Sequence, residues 1–167
     1  MSLRDKLVRN IHDVELEHFR REPKYDTRCG GVIGPRVQGT AARDLGAGYD
    51  ILAPGRISCP YHSHYAEEEM FVILEGEGTL RVAGEMIPIR AGDVIDIPAG
   101  PEYPHQIINT SDGPLRYLSI STQKRPEVCE YPDSGKYGLS TGDPRGIVAG
   151  RRMHRAATDL DYWDGEP

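Results

Sequence analysis

Between about residue 49 and residue 122 the chain alternates short apolar runs with clusters of turn formers. The runs lie at residues 49–53, 57–59, 70–74, 79–82, 86–89, 94–97, 106–108 and 116–120. Groups such as Ala53-Pro54-Gly55, Ala91-Gly92-Asp93 and Ser111-Asp112-Gly113-Pro114 separate them. Strands at this spacing, without helical periodicity between them, predict an all-β antiparallel sandwich or barrel. Val82-Ala83-Gly84-Glu85 reads as a tight hairpin turn. Alternation within one run adds a further expectation. If Glu69 faces the interior, so do Phe71 and Ile73, and Met70, Val72 and Leu74 face outward. Those outward residues are apolar, so the N-terminal segment or a second subunit should cover them; the reading favours a homodimer.

The flanks carry weaker patterns. In residues 1–22 the spacing of Ile11, Val14 and His18 predicts one short helix. Cys29-Gly30-Gly31-Val32-Ile33-Gly34-Pro35 is rich in turn formers and predicts a structured loop; its glycines are misspaced for a dinucleotide fingerprint. Tyr131-Pro132-Asp133-Ser134-Gly135-Lys136 lacks the earlier glycine of a phosphate loop, and Tyr137 stands where a hydroxyl residue would meet magnesium. With no internal repeat, one domain is expected. Residues 1–48 form an extension packed on the barrel, 49–122 the barrel, and 123–167 a second extension, whose tail from residue 146 packs outside.

Composition narrows the function classes. A domain of 167 residues buries roughly 70% of its extended surface, so a core needs no staples. With 26 acidic against 20 basic residues the net charge is −6, which gives no general attraction to a phosphate backbone. The basic cluster Arg151-Arg152-Met153-His154-Arg155 reads as a solvated face, so no nucleic-acid partner is expected. Cys29, Cys59 and Cys129 lack CxxC spacing and read as reduced thiols of a cytoplasmic protein. No secretory leader is evident, and no run approaches the roughly 18 apolar residues of a membrane span.

The candidate chemistry sits in two separated segments, His62-Ser63-His64-Tyr65-Ala66-Glu67-Glu68-Glu69 and Pro98-Ala99-Gly100-Pro101-Glu102-Tyr103-Pro104-His105. On an extended strand, residues two apart share a face, so His62 and His64 can offer imidazole nitrogens to one point. If Glu69 and His105 converge there, the four suit a transition metal. Glu67 and Glu68 are loop carboxylates, either of which replaces Glu69 if the register slips. His12, His18 and His154 have no companions at ligand spacing and read as surface residues. Tyr49, Phe71 and Tyr103 are candidates to line a substrate pocket, with core packing the competing role.

These residues resemble the cupins. Gly55-x6-His62-x-His64-x4-Glu69-x6-Gly76 is similar to the first motif of that family, and Gly92-x5-Pro98-x-Gly100-x4-His105-x3-Asn109 to the second. One extra residue separates Gly55 from His62, and two separate Gly100 from His105. The resemblance implies a double-stranded β-helix, or jelly roll, with irregular N- and C-terminal extensions. It also implies His62, His64, Glu69 and His105 around one divalent ion, with two positions open to water or a substrate. Three imidazoles and a carboxylate suit Mn, Fe, Ni or Zn better than calcium or magnesium. The expected ligand is a small oxygen-rich metabolite. One class of function is an enzyme: a sugar-phosphate isomerase or epimerase, a non-haem iron dioxygenase, or a decarboxylase. The other is a non-enzymatic carbohydrate- or metabolite-binding protein. Arg56 and Arg81 are candidates for a phosphate contact. Gly76, Gly92 and Gly100 serve backbone geometry, and Asn109 closes a turn. A DNA-binding regulator ranks last, because residues 1–48 are too rich in Gly and Pro for a helix-turn-helix.

Overall fold

The computed structural model describes residues 2–141, 151–155 and 161–166. Among these, the strands in chain order are β1 (Glu17–Arg21), β2 (Tyr25–Ile33), β3 (Leu45–Leu52), β4 (Ser63–His64), β5 (Glu69–Glu75), β6 (Glu77–Val82) and β7 (Glu85–Arg90). They continue with β8 (Val94–Ile97), β9 (His105–Ile108), β10 (Leu115–Thr122), β11 (Glu127–Tyr131), β12 (Lys136–Ser140) and β13 (Arg151–Arg155). The sheets run β1-β2-β3-β10-β5-β8, β13-β12-β11-β4 and β7-β6-β9. The strand-to-strand pairings are antiparallel, giving the all-β jelly roll that the spacing of the apolar runs predicts. The core lies between the sheets and includes Leu52, Phe71, Ile73, Leu80, Ile107, Leu115 and Tyr117. No helix among the described residues is long and apolar enough to cross a membrane.

Register explains which residues face inward. Phe71 pairs with Ser119, Ile73 with Tyr117, Ser119 with Gly48, and Tyr117 with Asp50. Directly paired residues share a sheet face, so these residues and Glu69 project into the barrel. Phe71 and Ile73 are buried, whereas Met70 and Leu74 are each 39% exposed, as the alternation predicts. The hairpin at 82–85 joins β6 to β7 with Ala83 and Gly84 both at positive φ, the conformation such tight turns require. Gly76 has φ +85°, and a Cβ there would stand 2.5 Å from the Pro114 carbonyl oxygen, so only glycine fits. Asn109 is fully buried and closes its turn by donating to the Leu52 and Gly113 carbonyls.

Four expectations are corrected. Residues 29–33 belong to β2 rather than to a loop. Gly30 is needed there for close approach, since an added Cβ would stand 2.4 Å from the Glu15 carbonyl oxygen and 2.6 Å from Val14 Cγ1. The same contact shows the N-terminal segment covering one end of the outer sheet face. The short helix is α1 (Leu3–Leu7), capped by Ser2 and Asp5, and not the stripe of Ile11, Val14 and His18. Only a 3-10 turn forms at Ile11–Asp13, and His18 pairs with Arg28 in β1, where sheet pairing overrides a weak stripe. The run at 57–59 makes only isolated bridges at Ile57, because Pro60 ends it at once. Both extensions contribute strands, with β1 and β2 joining the six-stranded sheet and β11 to β13 building the four-stranded one. Of the tail from residue 146, β13 pairs with β12, while Tyr162 and Trp163 are exposed. Residues 146–150, 156–160 and 167 lie outside the described residues.

Candidate metal centre

The two separated segments meet through backbone pairing. His62 N–H donates to the His105 carbonyl at 3.1 Å, and His105 N–H donates to the His62 carbonyl at 2.7 Å. This bridge sets the two imidazoles side by side, with ring centroids 4.7 Å apart. His64, on β4, has its ring 4.8 Å from that of His62. The long loop before β9 is tied down where Gly100 N–H donates to the His64 carbonyl at 2.7 Å. Glu69 opens β5 with its side chain inward. Its Oε2 lies 2.7 Å from His105 Nε2 and 3.5 Å from His64 Nε2. Donor atoms of His62, Glu69 and His105 all fall within 4.8 Å of one another.

The tautomers follow from what each ring does with its other nitrogen. His62 Nδ1 lies 2.8 Å from the Pro60 carbonyl, and His105 Nδ1 lies 3.2 Å from the Tyr103 carbonyl. A carbonyl only accepts, so both Nδ1 atoms carry the proton and both Nε2 atoms present a lone pair. His64 Nδ1 likewise faces Glu127 Oε1 at 3.4 Å and Cys129 Sγ at 3.5 Å. Although His105 Nε2 and Glu69 Oε2 are close, both are buried without a hydrogen bond. Two lone-pair atoms forced together in this way are what a shared cation would satisfy. The trio His62, Glu69 and His105 fits a divalent transition ion and would hold it; His64, which shares its tight cluster with Glu127 and Cys129 instead, would join as a fourth ligand through Nε2, 3.5 Å from Glu69 Oε2.

Electrostatics agree with that geometry. Burial pushes the His62 imidazole down to about 4, helped by the neighbouring His105 and His64, so it stays neutral. Burial also opposes charge on His64, but Cys129, Glu127 and Glu69 together outweigh it and raise its pKa to about 11. That acidic surround favours positive charge at this position. Burial would raise Glu69, yet His105, His64 and His62 around it hold its carboxyl below the usual range. Cys59, beside His62, is pushed by burial to about 12, which keeps it in the thiol form at neutral pH.

One strand of the C-terminal extension backs the histidines. Glu127, Cys129 and Tyr131 alternate on β11 and are all buried. Glu127 and Cys129 face His64, and the Tyr131 ring stacks on His62 at 5.9 Å. Glu127 also accepts N–H groups from Tyr65 at 2.9 Å, Ala66 at 3.1 Å and Glu67 at 2.8 Å. His64, Glu127 and Cys129 place ligand atoms within 4.8 Å of one another. With its oxygens taken by backbone N–H groups, Glu127 serves as a brace. Reading residues 127–131 as an alternating strand was the available signal for this trio.

The other sequence candidates are distributed as follows. Phe71 lies inside, its ring 5.7 Å from that of His105. Tyr49 pairs with Leu118 on the opposite sheet face, and its hydroxyl accepts from Arg116, so the structure does not bring it to the site. Tyr103 is 45% exposed and meets His105 through its carbonyl. Arg81 is held by Asp133 at 2.6 and 2.8 Å, and Arg56 by Glu22 at 3.3 Å, so neither reaches the metal centre. Glu67 pairs with Arg125, and Glu68 is exposed, leaving Glu69 as the inward carboxylate. His12, His18 and His154 are exposed.

Jelly-roll topology and this ligand pattern together indicate one superfamily. Residues 48–121 match the family described as the Cupin domain. An uncharacterized protein of Methanocaldococcus jannaschii is 42% identical over 112 residues, covering 65% of this chain and 85% of that one. The oxalate-binding protein of Thermotoga maritima is 39% identical over 69 residues, 41% of this chain and 54% of its own length. The crystal structure of a candidate sugar phosphate isomerase from Acidithiobacillus ferrooxidans aligns with a TM-score of 0.78 at 24% identity, over 95% of this chain and 98% of that chain. That last likeness is one of fold. The chain belongs to the cupin superfamily as a small single-domain protein.

Proposed function

We propose that the protein is a metal-dependent enzyme of the isomerase or epimerase kind, acting on a small hydroxylated anion of the sugar-phosphate class. The observation carrying this reading is the gathering of His62, His64 and His105 around Glu69, with His105 Nε2 and Glu69 Oε2 both buried without a hydrogen bond. A divalent ion held there supplies Lewis-acid polarisation of a ligand oxygen. The chain's own residues do the rest. Pro60, Tyr103 and Glu127 lie on the outer nitrogens of the histidines and orient the rings. Phe71 walls the inner side of the site with apolar surface. The pocket that opens on Glu69 carries the hydroxyls of Ser119 and Ser121 and the cation of Arg36, which suits a ligand both hydroxylated and anionic.

A second reading, a metal-anchored binding protein without turnover, is favoured by the 39% identity to an oxalate-binding protein. We extend the proposal to assembly: a second copy covers the outer sheet face at Met70, Leu74 and Val94, which are 39%, 39% and 62% exposed in the single chain.

Elemental analysis of protein purified without a metal-affinity column should find about one equivalent of a transition metal. His64→Ala should abolish that content and His154→Ala should leave it intact; a metal-free wild-type protein would overturn the proposal. Metal-dependent conversion within a panel of sugar phosphates and dicarboxylates supports the enzyme, whereas tight binding without conversion selects the second reading.

A further inference from the structure

The ring nitrogen of His64 that does not face Glu69 meets a second group of donors. Strand pairing brings them there. Cys129 on β11 is the direct partner of His64 on β4, and directly paired residues share a sheet face. Glu127 stands two residues before Cys129 on the same strand, so it shares that face too. His64 Nδ1 lies 3.5 Å from Cys129 Sγ, 3.4 Å from Glu127 Oε1 and 3.8 Å from Glu67 Oε2. Cys129, Glu127 and Glu67 are 6%, 2% and 6% exposed, which places these donors in the interior.

A good hydrogen bond from Nδ1 to the Glu127 carboxylate would be shorter, about 2.7–3.2 Å. The observed separations match the edges of a coordination tetrahedron. Zinc bonds nitrogen and oxygen at about 2.0 Å and sulfur at about 2.3 Å, which puts a ligand nitrogen about 3.3 Å from an oxygen and about 3.5 Å from a sulfur. Glu127 is already fixed as such a ligand must be. Its Oε2 accepts from the N–H groups of Ala66 and Glu67, whereas Oε1 accepts from Tyr65 N–H and keeps a further lone pair. Glu67 holds Arg125 with Oε1 and has Oε2 toward His64. Charge balances as well. A Cys129 thiolate, the two carboxylates, the Arg125 guanidinium and a divalent ion sum to zero, as a buried group of charges requires.

We infer that His64 Nδ1, Glu127 Oε1, Cys129 Sγ and Glu67 Oε2 form a second, structural site for a thiophilic divalent cation such as zinc. Sulfur beside imidazole and carboxylate favours that class over calcium, magnesium or manganese. Four protein donors close the site, so an ion there ties β11 to β4 and to the 65–67 loop. Binding sends the Cys129 thiol proton to solvent and moves the His64 proton from Nδ1 to Nε2, facing Glu69 Oε2. Those proton movements make this the weaker site, filled after the first centre when metal is added. The first centre then keeps its trio of His62, Glu69 and His105. This second site stands apart from the proposed function, because it needs neither a substrate nor the first ion.

Titration of the full chain with cobalt(II), a spectroscopic stand-in for zinc, provides the test. The wild type should bind a second cobalt ion, with the near-ultraviolet absorption of thiolate-to-cobalt charge transfer. Cys129→Ser should lose both the band and the second ion, while Cys29→Ser and Cys59→Ser keep them. The chain has three cysteines, so retention in those two variants still assigns the sulfur to Cys129 should Cys129→Ser fail to fold. His105→Ala, which damages the first centre, should keep the band. X-ray absorption of the zinc-loaded wild type should show a sulfur at about 2.3 Å. A wild type without a thiolate band, or a band that survives Cys129→Ser, overturns the second site. One bound ion without a band sinks the second site and leaves the first centre standing. A band in a chain whose first centre takes no metal upholds the second site and sinks the proposed function instead.

Discussion

Glu127 lies outside both ligand segments, yet its removal should damage fold and metal site together. The carboxylate is 2% exposed and accepts from the backbone N–H groups of Tyr65, Ala66 and Glu67. Tyr65 N–H has a second acceptor in the Val128 carbonyl at 3.0 Å. In Glu127→Ala two N–H groups, those of Ala66 and Glu67, lose this acceptor. Each unsatisfied buried donor costs about 1–3 kcal/mol, so the loss is on the order of 2–6 kcal/mol. His64 Nδ1 also loses its anionic neighbour, and disrupting such an outer partner lowers metal affinity about 10–100-fold. Glu127→Gln separates the two effects. Its amide oxygen can still accept from Ala66 and Glu67, so stability should fall by only about 1–2 kcal/mol. Its NH2 would then face His64 Nδ1 and favour the tautomer whose proton sits on Nε2, so metal affinity should still drop at least tenfold. Urea unfolding of the metal-free proteins and competitive titration with a metal-binding dye measure the two quantities. Glu127→Gln binding metal like the wild type, or Glu127→Ala unfolding at the wild-type urea midpoint, would refute the brace.

Asp50→Asn tests the buried carboxyl. Folded Asp50 keeps its proton to about pH 6, whereas an unfolded chain releases it near 3.8, so raising pH through that window costs the wild type stability that the variant retains. Because Asp50 is only partly shielded by exposed area, the variant's advantage should grow by on the order of 1–3 kcal/mol between pH 4 and 7, and a pH-independent difference in urea unfolding would contradict it. Chelation should lower the melting temperature, since metal at a hundredfold over its dissociation constant stabilises the fold by about 2.7 kcal/mol; an unchanged melt after verified metal removal would count against a folded-state site. The outer-face patch should hold two copies together in sedimentation experiments, with Val94→Lys shifting the equilibrium toward single chains, and a wild-type protein that sediments as a monomer would refute the pairing.

What was legible in the sequence depended on whether a residue's role is stated by its type and spacing. Apolar runs broken by turn formers foretold the jelly roll, because pleat alternation and turn chemistry are local rules. His62 and His64 were readable for the same reason, and His105 through its motif. Three features escaped. Gly30 and Gly31 look like turn residues, yet they lie in β2, where the demand for glycine comes from Val14, Glu15 and Val37 packing across the chain. Tyr49 is by its chemistry a candidate for either pocket or packing, and only the pairing of Asp50 with Tyr117 shows that it turns to the other face, where it is buried. Glu127 resembles any solvated glutamate until the fold brings the 65–67 loop against it.

Sequence reading therefore finds metal-ligand candidates more readily than the residues that position them. A ligand must be His, Cys, Asp or Glu, which are few in kind and often set at strand spacing. A brace can be any acceptor that meets a backbone N–H, and its partner is set by long-range pairing. Here β11 pairs with β4, so the inward residues of β11 stand behind β4 and the histidines beside it. The ring of His64 is consequently held from both sides by acidic groups, Glu69 on Nε2 and Glu127 on Nδ1. Such an imidazole holds a cation at Nε2 more firmly than one whose outer nitrogen meets water, because partial negative charge from the carboxylate reaches the ring through the Nδ1 proton. On this physical ground strand β11 of the C-terminal extension belongs to the candidate metal centre even though the family match ends at residue 121.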